Sequence, residues 1–169
     1  MMISGSRIFC AAQSQGQQHR VMTVSADSEG RAHVVERSGR EWIVPNETGQ
    51  VSFDTPLIAV DGRTAGWLAE FPNCCTSYPI PLTLVLWRDG HVLRRVGNGM
   101  DIGRWQFRNG GAQVAYFTDT VHGNLAPACV LVDVATGREV GRWIRGKKRP
   151  LPDWAEAFRE DIWPFGEPR

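Results

Sequence analysis

The side chains best suited to chemistry lie in two predicted loops, 72–81 and 119–127. They are thiols, hydroxyls, a carboxylate and an imidazole: Cys74, Cys75, Thr76, Tyr78, Asp119 and His122. A further thiol, Cys129, follows the second loop. Thiolates and imidazoles are ligands that zinc prefers, and they can form nucleophile and base pairs. Whether they act together depends on whether the fold brings the two loops to one edge.

Three interpretations of these residues are open. A metal site would use the thiols and His122, but neighbouring cysteines seldom both reach one ion, and no C-x-x-C spacing is present. A disulfide from Cys74 or Cys75 to Cys129 would staple a long loop in an oxidising compartment. In the third interpretation, which the sequence favours, the cysteines pack as small apolar residues and His122 forms a hydrogen bond within its turn.

Enzyme signatures are absent from the sequence. It has no G-x-S-x-G, H-E-x-x-H or Walker motif, and its aspartates fall at turns, where they support backbone geometry. Prolines at 72, 79 and 81 stiffen the first loop, and stiff aromatic loops suit recognition because they lose little entropy on binding. We expect a non-catalytic binding or protein-interaction module that uses both loops and no cofactor. The alternative is a thiol- or metal-dependent enzyme or redox site built from Cys74, Cys75 and His122.

The loops are positioned by two predicted β-hairpins joined end to end. The turn Asp61-Gly62-Arg63 separates two short apolar runs, and Arg88-Asp89-Gly90 separates two more. An Asp-Gly pair between such runs is a strong hairpin signal. Residues 56–97 are therefore predicted to form a four-stranded antiparallel sheet.

The chain then repeats this plan over residues 103–144. Asn109-Gly110 matches Asp61-Gly62 at an offset of 48 (109 − 61), and Thr136-Gly137 matches Asp89-Gly90 at an offset of 47 (136 − 89). At the first offset His122 corresponds to Cys74 (122 − 74). The repeat predicts that both long loops leave the same edge of the molecule.

Four antiparallel strands in about 40 to 50 residues match the size of one β-propeller blade. The segment Val60-Asp61-Gly62-Arg63-Thr64-Ala65-Gly66-Trp67 resembles the turn of WD-like repeats in bacterial propellers of the Tol-Pal type. This resemblance covers about half of the chain and implies architecture rather than activity. It implies an all-β fold in which two blade-like sheets pack as a partial propeller or a sandwich.

The remaining segments divide the chain into a flexible tail (1–20), one β domain (21–146), and a basic linker with a C-terminal helix (147–169). Three further strands are predicted between 21 and 44. The helix is predicted from Asp153, an N-cap with Glu156 three residues on in a capping box. Trp154, Phe158 and Ile162 fall on one face of that helix, which must dock because so short a helix is marginal alone.

Charge and hydropathy limit the partners. Nineteen basic and 18 acidic residues give a net charge of +1, which provides no field for nucleic acid. No run approaches the roughly 20 apolar residues of a membrane span, so we expect a soluble protein. A homodimer would cover the open sheet edges. The location is expected to be extracytoplasmic if the N-terminus is a truncated signal, and cytoplasmic otherwise.

Overall fold

The computed structural model describes residues 19–74, 77–120, 126–147 and 149–164, and it contains three antiparallel sheets. The first sheet comprises β1 (Val21–Ala26), β2 (Ala32–Glu36) and β3 (Glu41–Val44). The second comprises β4 (Ser52–Ile58), β5 (Thr64–Phe71), β6 (Ile80–Arg88) and β7 (His91–Val96). The third comprises β8 (Asp101–Arg108), β9 (Gln113–Asp119), β10 (Ala128–Asp133) and β11 (Glu139–Ile144). In each sheet every strand pairs with its neighbour in sequence, which confirms the predicted all-β fold and both four-stranded units.

The sheets stack face to face through separate apolar layers. Trp67 and Trp87 of the second sheet pack against Val34 of the first sheet. On its other face, the second sheet contributes Leu68 and Leu84 to a core shared with the third sheet. Since side chains alternate along a strand, burial on both faces requires the continuous apolar runs of β5 and β6. No described residue forms such a layer on the outer face of the first sheet, and Ile43 there is 54% exposed.

The outer face of the third sheet is covered by a C-terminal helical segment. This segment is a 3-10 helix, Asp153–Phe158, that continues as α1, Arg159–Ile162. Phe158 and Ile162 are fully buried against β9 and β10, as the apolar pattern predicts. Among the described residues, no helix has the length and apolar character needed to cross a membrane.

The predicted capping box is wrong. Pro152 occupies the N-cap position with extended backbone, so Asp153 is the first residue of the helix, and no side chain caps it. The fixed φ of proline holds residue 152 in that flanking conformation. The Glu156 carboxylate accepts hydrogen bonds from Arg159 at 2.7 and 2.8 Å instead of reaching back to the helix start.

The strand pairing repeats between the second and third sheets, but the predicted offset of 48 is wrong by one residue. Ile58 pairs with Ala65, and the equivalent pair is Phe107 with Val114, so the offset is 49 for both strands (107 − 58 and 114 − 65). An offset of 48 would exchange the two faces of β9, because side chains alternate along a strand. The offset of 47 between β7 and β11 is confirmed. Trp87 pairs with Val92 and Val132 with Glu139, each next to a β-bulge.

Trp105 of β8 interlocks the second and third sheets. A Cβ atom on Gly66 would lie 2.8 Å from the Trp105 ring, so only glycine leaves space for the indole. The Trp105 Nε1–H donates to the carbonyl oxygen of Thr55 at 3.1 Å. Thr55 lies in the β-bulge of β4 and has a φ of 45°. The indole therefore binds a carbonyl that the bulge removes from the strand ladder.

We expect Gly66→Ala to lower the free energy of unfolding by about 1–3 kcal/mol, because overpacking displaces buried neighbours by amounts of that order. Gly103→Ala on β8 is the matched control, since a Cβ atom there meets only the Phe117 ring at an ordinary 3.4 Å. Urea denaturation of both variants measures the difference. Equal effects of the two substitutions would contradict this interlock.

Candidate functional site

The two long connections leave the same end of the stack. The β4–β5 and β8–β9 turns are adjacent, because a Cβ atom on Gly111 would lie 2.8 Å from Cβ of Ala59. We call this end of the stack the turn end. Since β5 and β9 both run away from it, their last residues, Phe71 and Asp119, lie at the opposite end, which we call the loop end.

The structure describes part of the predicted site. Tyr78 is 64% exposed, and Cys74 is exposed as well. Asp119 is half-buried at the end of β9. Cys75, Thr76 and His122 lie outside the described residues. Within the described ranges, no group of three or more His, Cys, Asp and Glu side chains could hold a metal ion.

Cys129 lies near the start of β10, and its side chain is in the core rather than exposed at the loop end. Its side chain packs between the third sheet and the C-terminal helical segment, and it is fully buried. Burial, with a smaller effect from the charge of Asp161, raises the pKa of the Cys129 thiol to about 12. No disulfide joins Cys74 to Cys129. The Cys129 thiol faces α1, whereas Cys74 is exposed in a loop of another sheet. Cys75, the other predicted partner of Cys129, lies outside the described residues, so that disulfide stays a prediction.

Cys129 should resist alkylation in the native protein, because a buried thiol with a raised pKa supplies almost no thiolate at neutral pH. We expect the peptide that contains Cys129 to remain unmodified by iodoacetamide under native conditions and to react fully in guanidinium chloride. Mass spectrometry of the digested protein measures both reactions. Rapid native labelling of Cys129 would contradict its assigned burial.

A pair of carboxylates lies where β8 and β9 meet the loop end, and only one of them, Asp119, was predicted from the sequence. Asp101 and Asp119 are directly paired across the two strands. Burial, and then the charge of Asp119, raise the pKa of Asp101. Asp101 Oδ1 is buried with no hydrogen-bond partner among the residues that the structure describes. Asp101 and Asp119 lie opposite each other because of the register between β8 and β9. No local sequence motif indicates this register.

Asp101→Asn should stabilise the protein at neutral pH by about 0.2–1 kcal/mol, the range for directly opposed charges in a sheet. Because the folded state raises the pKa of Asp101, folding favours its protonated form. The wild-type protein is therefore destabilised by the Asp101 charge as pH rises above the ordinary pKa of aspartate. Below that pH the effect is absent. Thermal unfolding should show a higher midpoint temperature for the variant than for the wild type at pH 7. In acid the two midpoint temperatures should converge. Glu160→Gln, at an exposed position, is the control substitution and should leave the unfolding midpoint at pH 7 unchanged.

A cleft of about 330 Å³ also lies at the loop end. Its walls come from the connector between the first two sheets and from the ends of β5, β6 and β7: Glu47, Thr48, Phe71, Thr83, Arg95, Val96 and Gly97. Arg95 Nε donates to Glu47 Oε2 at 2.5 Å. Phe71 directly precedes the loop 72–81, so the cleft adjoins the predicted binding loop. Sequence reasoning missed it because its charged residues are 48 positions apart (95 − 47).

The turn end is instead closed by hydrogen bonds within the chain. The Asp61 carboxylate accepts from the backbone N–H of Arg63 at 2.8 Å and of Thr64 at 3.0 Å. Partial burial opposes ionisation of Asp61, but these bonds, the Thr64 hydroxyl and the charge of Arg88 lower its pKa. Arg63 in turn pairs with Asp89 of the second hairpin turn at 2.5 Å. The Asp-Gly-Arg segment thus fastens two hairpins together.

Comparison with known proteins gives no family. The sequence matches no family model and no curated protein. A solved structure, Kuenenia stuttgartiensis hydrazine synthase, is similar at 18% sequence identity with a TM-score of 0.46. The match covers 72% of this chain and 32% of that one, so this chain spans about a third of that protein. A likeness at this level carries no argument about function.

Proposed function

We propose that this protein is a non-catalytic binding module whose recognition surface is the loop end, formed by the loops 72–81 and 119–127. The observation that supports this is the contrast between the two ends of the stack. At the turn end, Asp61 and Arg63 bind groups of their own chain. At the loop end, Tyr78 is exposed, and a cleft opens beside Phe71, the residue that precedes the loop 72–81. Aromatic side chains with exposed apolar area are common anchors of protein interfaces.

A binding role also agrees with the chemistry of the described side chains. The buried thiol of Cys129 has a raised pKa and no access to solvent, which is the opposite of a nucleophile. At the turn end, the carboxylates of Asp61 and Asp133 accept hydrogen bonds from backbone N–H groups, a structural role. Recognition through loops carried by a rigid stack of sheets needs none of these groups to react.

The blade-like arrangement and the homodimer stay predictions within this proposal. Three stacked antiparallel sheets with a repeated hairpin register are compatible with a segment of a propeller, which needs at least four blades to close. A second copy of the chain would pair with an edge strand of one of the sheets, such as β4, β7 or β11. The propeller segment and the homodimer concern the scaffold that holds the binding surface. Neither changes the proposed position of that surface at the loop end.

Peptides selected from a random library on the wild-type protein test the proposed surface. Tyr78→Ser removes an exposed aromatic side chain at the loop end, so most selected peptides should lose at least about tenfold in affinity, or roughly 1.4 kcal/mol. Arg63→Gln is the control at the turn end, and binding to it should remain within twofold of the wild type. Fluorescence anisotropy measures the affinities. Selected peptides that depend on Arg63 and tolerate Tyr78→Ser would overturn the proposal.

A further inference from the structure

We infer that the loop-end cleft binds a free α-amino acid with an apolar side chain. This inference rests on the proposed function, since the cleft adjoins the loop 72–81, and it adds the chemical class of a ligand. Three features of the cleft carry it: a charged pair with one unused side on each partner, an aromatic wall, and a volume suited to a small ligand.

Arg95 supplies the group for the ligand carboxylate. Its Nε is occupied by Glu47 at 2.5 Å, and its side chain is 54% exposed. No described residue accepts a hydrogen bond from its two terminal Nη groups. A guanidinium carries five N–H donors in a planar fork, so the Nη edge remains available for a bidentate carboxylate.

Glu47 supplies the group for the ligand ammonium. Its side chain is only 18% exposed, and its second oxygen, Oε1, accepts no hydrogen bond from a described residue. The backbone N–H of Glu47 donates to Gln50 Oε1 at 3.0 Å, and the Gln50 N–H donates back to the Glu47 carbonyl at 2.9 Å. This closed turn fixes Glu47 before a ligand arrives, which reduces the entropy lost on binding.

Charge balance selects a ligand that carries both ionic groups. A simple carboxylate on Arg95 would bring a second negative charge next to Glu47, and a simple amine on Glu47 would bring a positive charge next to Arg95. Opposing like charges in a partly desolvated site is unfavourable. A zwitterion places one group on each partner, so the neutral pair Glu47–Arg95 receives a neutral ligand.

The remaining walls suit an apolar side chain of modest size. Phe71 provides a partly buried aromatic surface that packs on the core of the second sheet, while Thr83 lies on the neighbouring strand. The volume of about 330 Å³ is at the lower limit of the roughly 300–1,000 Å³ of ligand pockets. Gly97 at the rim has a φ of 145°, and a Cβ atom there would lie 2.5 Å from the carbonyl oxygen of Leu82. The rim therefore requires glycine.

Titration of the ¹⁵N-labelled protein with L-phenylalanine tests this inference. We expect saturable shifts of the backbone amides of Phe71, Thr83, Arg95 and Gly97. Phenethylamine lacks the carboxylate and 3-phenylpropionate lacks the ammonium, and each should bind at least about tenfold more weakly, since the loss of one charged hydrogen bond is worth roughly 1.5–3 kcal/mol.

Three variants locate the binding. Arg95→Gln and Glu47→Gln should each weaken L-phenylalanine at least tenfold, whereas Arg63→Gln, which breaks an ion pair of the same 2.5 Å length at the turn end, should leave it unchanged. Urea midpoints confirm that the variants fold. The inference is overturned if the wild type shows no saturable shifts in the cleft, or if 3-phenylpropionate binds as tightly as L-phenylalanine.

The result separates this inference from the proposed function. If selected peptides depend on Tyr78 while L-phenylalanine leaves the cleft amides unchanged, the amino-acid site is wrong and the binding module stands. If L-phenylalanine binds in the cleft while selected peptides depend on Arg63, the loop-end module is wrong and the amino-acid site stands.

Discussion

The contact of the Trp105 indole with the space above Gly66 is the constraint on which the rest of the structure depends. It sets the distance between the second and third sheets, because the Trp105 ring fills the space that a side chain at Gly66 would occupy. It also fixes them along the strands, because the indole N–H binds the Thr55 carbonyl at one point of the β4 bulge. With both directions fixed, the turns of the two sheets are adjacent. The C-terminal ends of β5 and β9 then lie at the same end of the stack.

The two ends of the stack differ because backbone groups in turns need partners. At the turn end, aspartate carboxylates supply them: Asp61 binds the N–H groups of Arg63 and Thr64, and Asp133 binds the N–H and the hydroxyl of Thr136. These short turns leave little polar capacity for a partner molecule. At the loop end, Glu47 and Arg95 line a cleft beside Phe71, and each has hydrogen-bonding capacity that the described chain does not use.

Local signals predicted most of the fold, because hairpins are determined by residues close in sequence. Asp61-Gly62 and Asp89-Gly90 give both turns of the second sheet, and apolar runs on both sides of them give its strands. The repeat was predicted at an offset of 48 because Asn109-Gly110 looks like Asp61-Gly62. In the structure Gly62 is equivalent to Gly111, and both have positive φ. A turn motif alone does not fix register when glycines are adjacent.

The sites were less predictable, since they depend on contacts across the stack. Cys129 was grouped with the loop cysteines by position, but the alternation of β10 directs its side chain under Phe158. The opposition of Asp101 and Asp119 exists only in the correct register. Glu47 belongs to a connector without a recognisable motif, and Arg95 to an ordinary strand. Their ion pair arises because the connector crosses the end of the second sheet.

The C-terminal helical segment makes the two outer faces of the stack different for protein engineering. Phe158 and Ile162 occupy the apolar surface of the third sheet, so an additional layer grafted there would compete with them. The outer face of the first sheet carries the exposed Ile43 and no layer from the described chain. A designed layer of antiparallel strands could therefore be added on the outer face of the first sheet. The addition would lie on the side of the stack opposite the C-terminal helical segment.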